Sequence, residues 1–128
     1  MTWQFDNNLP IYIQIMDRIK LEIISKKLDT GEKLPSVRDL AEQAGVNPNT
    51  IQRALSELER EGFVYSQRTT GRFVTDNHDL IYQSRQRLSQ EELKRFIDNM
   101  TNFGYEKQDL PEVVTRYLEG EKHDTTKI

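Results

Sequence analysis

Residues 34–63 read LPSVRDLAEQAGVNPNTIQRALSELEREGF, a stretch that predicts two short helices separated by a tight turn. Ser36 carries a capping side chain, and Asp39, three residues on, can answer it as the other half of a capping box. Val37, Leu40 and Ala41 supply a buried stripe. Gly45 then stops this helix, because glycine enters the left-handed backbone region without a steric penalty. The second helix starts almost at once: Asn47 is a good N-cap, and Pro48 suits the first helical position, where its missing N–H has no partner to lose. Ile51, Ala54, Leu55 and Leu58 fall on one face of this helix, and Asn49, Gln52, Arg53 and Ser56 fall on the other. So close a pair is a helix-turn-helix, whose second helix can enter the DNA major groove.

Beyond Gly62 the pattern changes to FVYSQRTTGRFVT. Phe63 and Val64 begin a strand, Phe73 and Val74 begin its return, and residues 68–72 form the connecting loop. A hairpin with a basic tip directly after a helix-turn-helix is a winged helix. On the other side, Pro10 opens a supporting helix in which Ile11, Ile15, Met16, Ile19 and Ile23 recur at helical spacing to about Leu28. Ahead of it, Trp3 and Phe5 alternate with polar residues in a short arm suited to lying on an apolar surface.

Residues 76–128 have a different character. Ile81, Leu88, Leu93, Phe96, Ile97, Met100 and Phe103 mark a nearly continuous helix, since nothing from 80 to 100 is Gly or Pro; Ser89 with Glu92 is the one capping pair that can interrupt it. Gly104 ends it. Asp109 and Glu112 make a further capping box, after which Leu110, Val113, Val114, Tyr117 and Leu118 line a last helix ending at Gly120. Two such helices cannot bury their apolar faces alone, so a homodimer is expected, with Ile81, Leu88, Phe96, Met100, Val114, Tyr117 and Leu118 as its dimerisation residues. The fold class is thus mainly α with a small β-hairpin wing. Residues 1–75 form the winged helix-turn-helix, 76–120 an α-helical dimerisation region, and 121–128 a flexible tail.

At 128 residues the chain has room for one compact domain and a small accessory element. No apolar run approaches the roughly 20 residues of a membrane helix. The start, MTWQFDNNLP, has neither the basic flank nor the apolar core of an export signal, which together with the absence of cysteine points to the cytoplasm. The net charge of −3 does not favour nucleic acid, but residues 1–75 hold 10 basic and 10 acidic side chains while residues 76–128 hold 8 and 11. A local basic surface therefore fits on a neutral domain. His78 and His123 stand far apart without carboxylate or cysteine ligands at metal spacing, so no metal or other cofactor is expected. Lacking a nucleophile–base pair and a phosphate loop, the chain does not read as an enzyme. The competing class is a winged-helix protein interaction module, which the polar NPNT opening and the basic wing disfavour.

The run GEKLPSVR (31–38), the run LAEQAGVNPNTIQRALSELEREGFV (40–64) and the wing with Gly71 resemble the GntR family of bacterial transcription regulators over about residues 10–75. The short two-helix tail is similar to the YtrA-like subfamily, in which this part serves dimerisation. The resemblance implies a homodimer on a palindromic operator in double-stranded DNA, usually repressing transcription, often of transporter genes. It implies DNA contact by Arg38, by Asn47, Asn49 and Thr50 at the opening of the recognition helix, and by Gly71 and its neighbours at the wing tip. The chain departs from many relatives at Pro48 and Gln52, where they carry arginine.

The residues themselves extend this set to Gln52 and Arg53 on the outward face and to Arg68, Thr69, Thr70 and Arg72 in the wing. Each has a plainer reading: Asn47 as a helix cap, Arg53 as the partner of Glu57, Arg38 as the partner of Asp39 or Glu42, and the wing arginines as solvated charges. Unlike the larger GntR subfamilies, the chain is not expected to carry a big effector-binding domain, and a tail of about 45 residues is slight for enclosing a pocket of roughly 300–1,000 Å3, which leaves a small-molecule effector open.

Overall fold

The computed structural model describes residues 3–127, with the helical backbone alone for residues 121–127. Helix α1 (Ile11–Ile24) buries Ile15, Met16, Ile19, Ile23 and Ile24, the stripe that the four-residue spacing requires, while Ile11 at its exposed first position stays outside. It stops short of Leu28. Lys26 takes a left-handed conformation (φ 65°), and the Leu28 N–H donates to the Glu22 carbonyl at 3.0 Å, so that Leu28 folds back to pack on the core. Helix α2 (Val37–Ala44) opens on Ser36, whose Oγ accepts from the Asp39 N–H at 3.0 Å, and closes on Gly45 at φ 71°. Helix α3 (Pro48–Arg60) opens on Asn47, whose side chain accepts from the Asn49 N–H at 2.8 Å.

One cluster joins these helices: Ile15, Ile19 and Ile23 of α1, Leu40 and Ala44 of α2, and Ile51, Leu55 and Leu58 of α3, with Trp3 of the arm against it. Burial of each Ile or Leu stabilises by about 1.5–3 kcal/mol against about 1 kcal/mol for a cap, so packing holds the fold and the caps set its boundaries.

The wing is an antiparallel pair, β1 (Val64–Gln67) and β2 (Gly71–Val74), in register Val64 to Val74 and Gln67 to Gly71. The connecting turn is only residues 68–70, so Gly71 and Arg72, expected in the loop, are strand residues. Gly71 sits at φ 118°, where a side chain is strained, and a Cβ there would come within 3.1 Å of Lys33 Cε. Residues 31–34 run beside β2, where Lys33 makes an isolated antiparallel bridge to Phe73 that the sequence does not suggest. Gly31 donates to Val74, Val74 to Glu32 and Leu34 to Arg72, each at 2.9 Å.

Helix α4 (His78–Asn102) is continuous. The Ser89 hydroxyl donates back to the Gln86 carbonyl at 2.9 Å, which keeps it inside the helix instead of capping a new one. Gly104, at φ 101°, provides the stop. After a 3-10 turn (Lys107–Asp109), helix α5 (Leu110–Lys127) runs through Gly120, which is not in the left-handed region. Glycine weakens a helix interior by about 1 kcal/mol but ends it only where the backbone turns. Among the described residues no capping-box bond joins Asp109 to Glu112; Glu112 pairs with Arg116 at 2.7 Å.

Packing divides the chain into two units, with the boundary after Arg85, inside α4. The first unit keeps the opening turns of α4 because Ile81 and Ser84 are buried in it, and Arg85 Nη2 donates to the Ile24 carbonyl at 2.8 Å, capping the end of α1. The second unit holds the rest of α4 together with α5.

Candidate nucleic-acid interface

The buried and exposed residues of α3 separate by face. Ile51, Ala54, Leu55 and Leu58 are at most 1% exposed, while Asn49, Gln52, Arg53 and Ser56 face solvent and Thr50 is half-buried. On the outward face the Gln52 amide donates to Ser56 Oγ at 3.3 Å. Asn47 is occupied as the cap. At this end of the helix, backbone N–H groups without intrahelical partners and the helix dipole favour an anion such as a phosphate.

Arg53 has a partner that the sequence did not suggest. Its guanidinium carbon lies 3.8 Å from the centroid of the Tyr12 ring, on α1. Glu57, the acid one turn on, pairs with Arg60 instead. Nothing within α3 marks this contact, because the partner comes from a helix some 40 positions earlier in the chain. Arg38 in α2 is 89% exposed, with its Nε 3.7 Å from Glu42. An exposed pair of this kind is worth about 0–1 kcal/mol and yields readily to a phosphate.

The two wing arginines differ. Arg68 sits exposed in the turn beside Thr69 and Thr70, whose hydroxyls donate to the carbonyls of Arg68 (2.6 Å) and Gln67 (3.5 Å). Arg72 is only 19% exposed, and its Nε donates to Glu59 Oε1 at 3.3 Å. The same oxygen accepts from Ser66 Oγ at 2.7 Å, so Glu59 ties both wing strands to α3. Ser56, Glu59, Arg60, Ser66 and Arg72 share one shallow depression, which carries the outward face of α3 on to the wing.

A second groove, of about 490 Å3, lies between the start of α2 and the wing, with Lys33, Ser36, Thr69, Thr70 and Arg72 among its walls. Lys33 is exposed here, above Gly71, and sequence reasoning passed it over. Its signal was weak, a lone cation in GEKLP, because only the pairing of residues 31–34 with β2 brings it to the wing. Of the residues expected to dimerise, Ile81 belongs to the core of the first unit at 8% exposure. In the second unit Leu88, Val114, Tyr117 and Leu118 are exposed, and Phe96 and Met100 are half-buried.

Residues 11–74 match the family model described as bacterial regulatory proteins, gntR family. The uncharacterized HTH-type transcriptional regulator YhcF of Bacillus subtilis is 40% identical over 91% of this chain and 97% of its own length. The HTH-type transcriptional repressor YtrA of the same organism is 35% identical over 83% of this chain and 82% of its own. Among solved structures, a GntR family transcriptional regulator from Listeria monocytogenes superposes with a TM-score of 0.76 at 38% identity, covering 88% of this chain and 98% of that one. The DNA-binding domain of AraR in complex with its operator ORX1 superposes with a TM-score of 0.54 at 29% identity, over 59% of this chain and 95% of that one. With the winged helix-turn-helix and the exposed polar face of α3 in place, the chain belongs to the GntR family and is a DNA-binding transcription regulator.

Proposed function

We propose that this regulator binds an inverted-repeat operator as a homodimer and represses transcription from it. The observation that carries the reading is the division of α3 into a fully buried face and a polar, exposed one that continues on to a basic wing. In this reading α3 lies in the major groove, with Asn49, Thr50, Gln52 and Arg53 facing base edges and phosphates near its N-terminus. Lys33, Arg38 and Arg68 neutralise phosphates, and the Thr69–Thr70–Gly71 tip approaches the adjacent minor groove. The exposed Phe103, Tyr117 and Leu118 of the second unit support pairing with a second copy. Repression follows the relative named as a repressor, and transporter genes as targets follow the family resemblance. Contact with the chromosome puts its place of work in the cytoplasm.

Footprinting on the protein's own promoter, followed by anisotropy titrations, tests the reading. Three phosphate-facing cations per protomer, six per dimer, give a slope of log K against log salt of about −5. The operator should be bound at least about a thousandfold more tightly than random duplex. Equal affinity for both at moderate salt sinks the proposal, and run-off transcription that rises on adding protein sinks its sign.

A further inference from the structure

Resting on the assignment of α3 as the reading helix, we infer that Tyr12 is a positioning residue for sequence recognition: its ring holds the Arg53 guanidinium on the outward face of α3 with the N–H edge free for a base. The contact is 3.8 Å, carbon to ring centroid, across two helices. Among the described residues Arg53 has no carboxylate partner, since Glu57 is taken by Arg60, and the neighbouring Gln52 amide is turned to Ser56. The aromatic face is therefore what orients this arginine.

Geometry makes the contact compatible with reading. A ring beneath a guanidinium occupies its π face, whereas its five N–H donors lie in the plane. Guanine O6 and N7 accept in that plane, so a base can be engaged without breaking the stack. A long side chain already held in this way has surrendered rotamer freedom that a free arginine would lose on binding.

The platform is itself anchored. Tyr12 is half-buried against the core. The chain ahead of α1 is stapled by the Gln14 side chain, which donates to the carbonyls of Asp6 (2.7 Å) and Leu9 (2.9 Å) and accepts from the Asp6 N–H (2.8 Å). Helix α1, otherwise a packing element, thus contributes to the choice of operator.

The test measures full-length wild type, Tyr12→Phe, Tyr12→Leu, Arg53→Ala and the Tyr12→Leu/Arg53→Ala double variant against operators changed one base pair at a time, with thermal melting alongside. Arg53→Ala should flatten the preference at one base pair per half-site by about tenfold. Tyr12→Leu should lower it at that same pair by about 2- to 5-fold, leave other positions unmoved, and add nothing in the double variant. Tyr12→Phe, which keeps the ring, should match wild type. If Arg53→Ala relaxes a position and Tyr12→Leu does not, the inference falls while the reading helix stands. Tighter binding by Tyr12→Leu overturns it too, since the ring would then be withholding the arginine. If Arg53→Ala changes no position, the assignment of Arg53 to base reading falls first and takes the inference with it. Should Tyr12→Leu fail to fold, the ring-current shift of the Arg53 δ protons decides: retained on operator binding it supports the inference, and lost it overturns it.

Discussion

Glu59 decides what Arg72 can do. The sequence presents Arg68 and Arg72 as equal flanks of a wing tip, and at the level of composition nothing separates them. In the fold one is a solvated turn residue and the other is a strand residue bonded to a carboxylate that also holds Ser66. On the proposed reading the two serve DNA binding differently. Arg68→Ala should weaken operator and random duplex alike and reduce the salt slope of the dimer by about 2, read from titrations across salt concentration. Arg72→Ala should instead remove the tie of β2 to Glu59 while Ser66 keeps that of β1, with a loss of about 0.5–1 kcal/mol in denaturant unfolding and a smaller change in salt slope. The reverse pattern would show that Arg72 leaves Glu59 for a phosphate. Asn47 and Gly45, by contrast, were legible from the sequence, because a cap and a left-handed stop are decided by the residue and its immediate neighbours.

Elements were readable where their ends are local in this sense. The bounds of α2 and α3 follow from Ser36, Gly45, Asn47 and Pro48, and the buried face of α3 follows from spacing. The end of α1 was not readable, since it depends on a lysine in a left-handed conformation, a conformation no sequence signal assigns to Lys26. Nor was the bridge from residues 31–34 to β2, whose bonds cross some 40 positions of the chain. The long α4 emerges from its lack of breakers, but its first turns pack into the winged unit through Ile81, a residue that periodicity alone places with the later ones. Burial and capping in α3 also predict a separation of costs. Leu58→Ala, at a site with no exposure, should lower unfolding free energy by about 2–5 kcal/mol, and Asn47→Ala by about 1 kcal/mol in urea titrations. Comparable losses would mean that helix ends, and not the cluster of Ile15, Ile51 and Leu58, hold the recognition helix in place.

At the scale of the whole molecule, the second unit leaves apolar surface uncovered. Phe103 is 77% exposed, Tyr117 71% and Leu118 58%, while Leu110 is buried, so the unit has some interior of its own but more apolar surface than a lone unit hides. Isolated exposed leucines need no explanation; three large residues in one short region favour a partner. A second copy is the partner we propose, since it would also serve the winged unit: two linked half-site readers bind a repeat far more tightly than either alone. The gain from such linkage is about 10²- to 10⁴-fold, set by effective concentration and without any new DNA contact. Sedimentation should show a dimer at micromolar concentration, and the Tyr117→Glu/Leu118→Glu double variant should sediment as a monomer, two like charges per chain having been placed where the apolar contact was. That variant should lose the linkage factor on the full inverted repeat yet bind a single half-site as wild type does, since α3 and the wing are untouched. A monomeric wild type, or a dimer that the double variant leaves intact, would remove the second unit from this role.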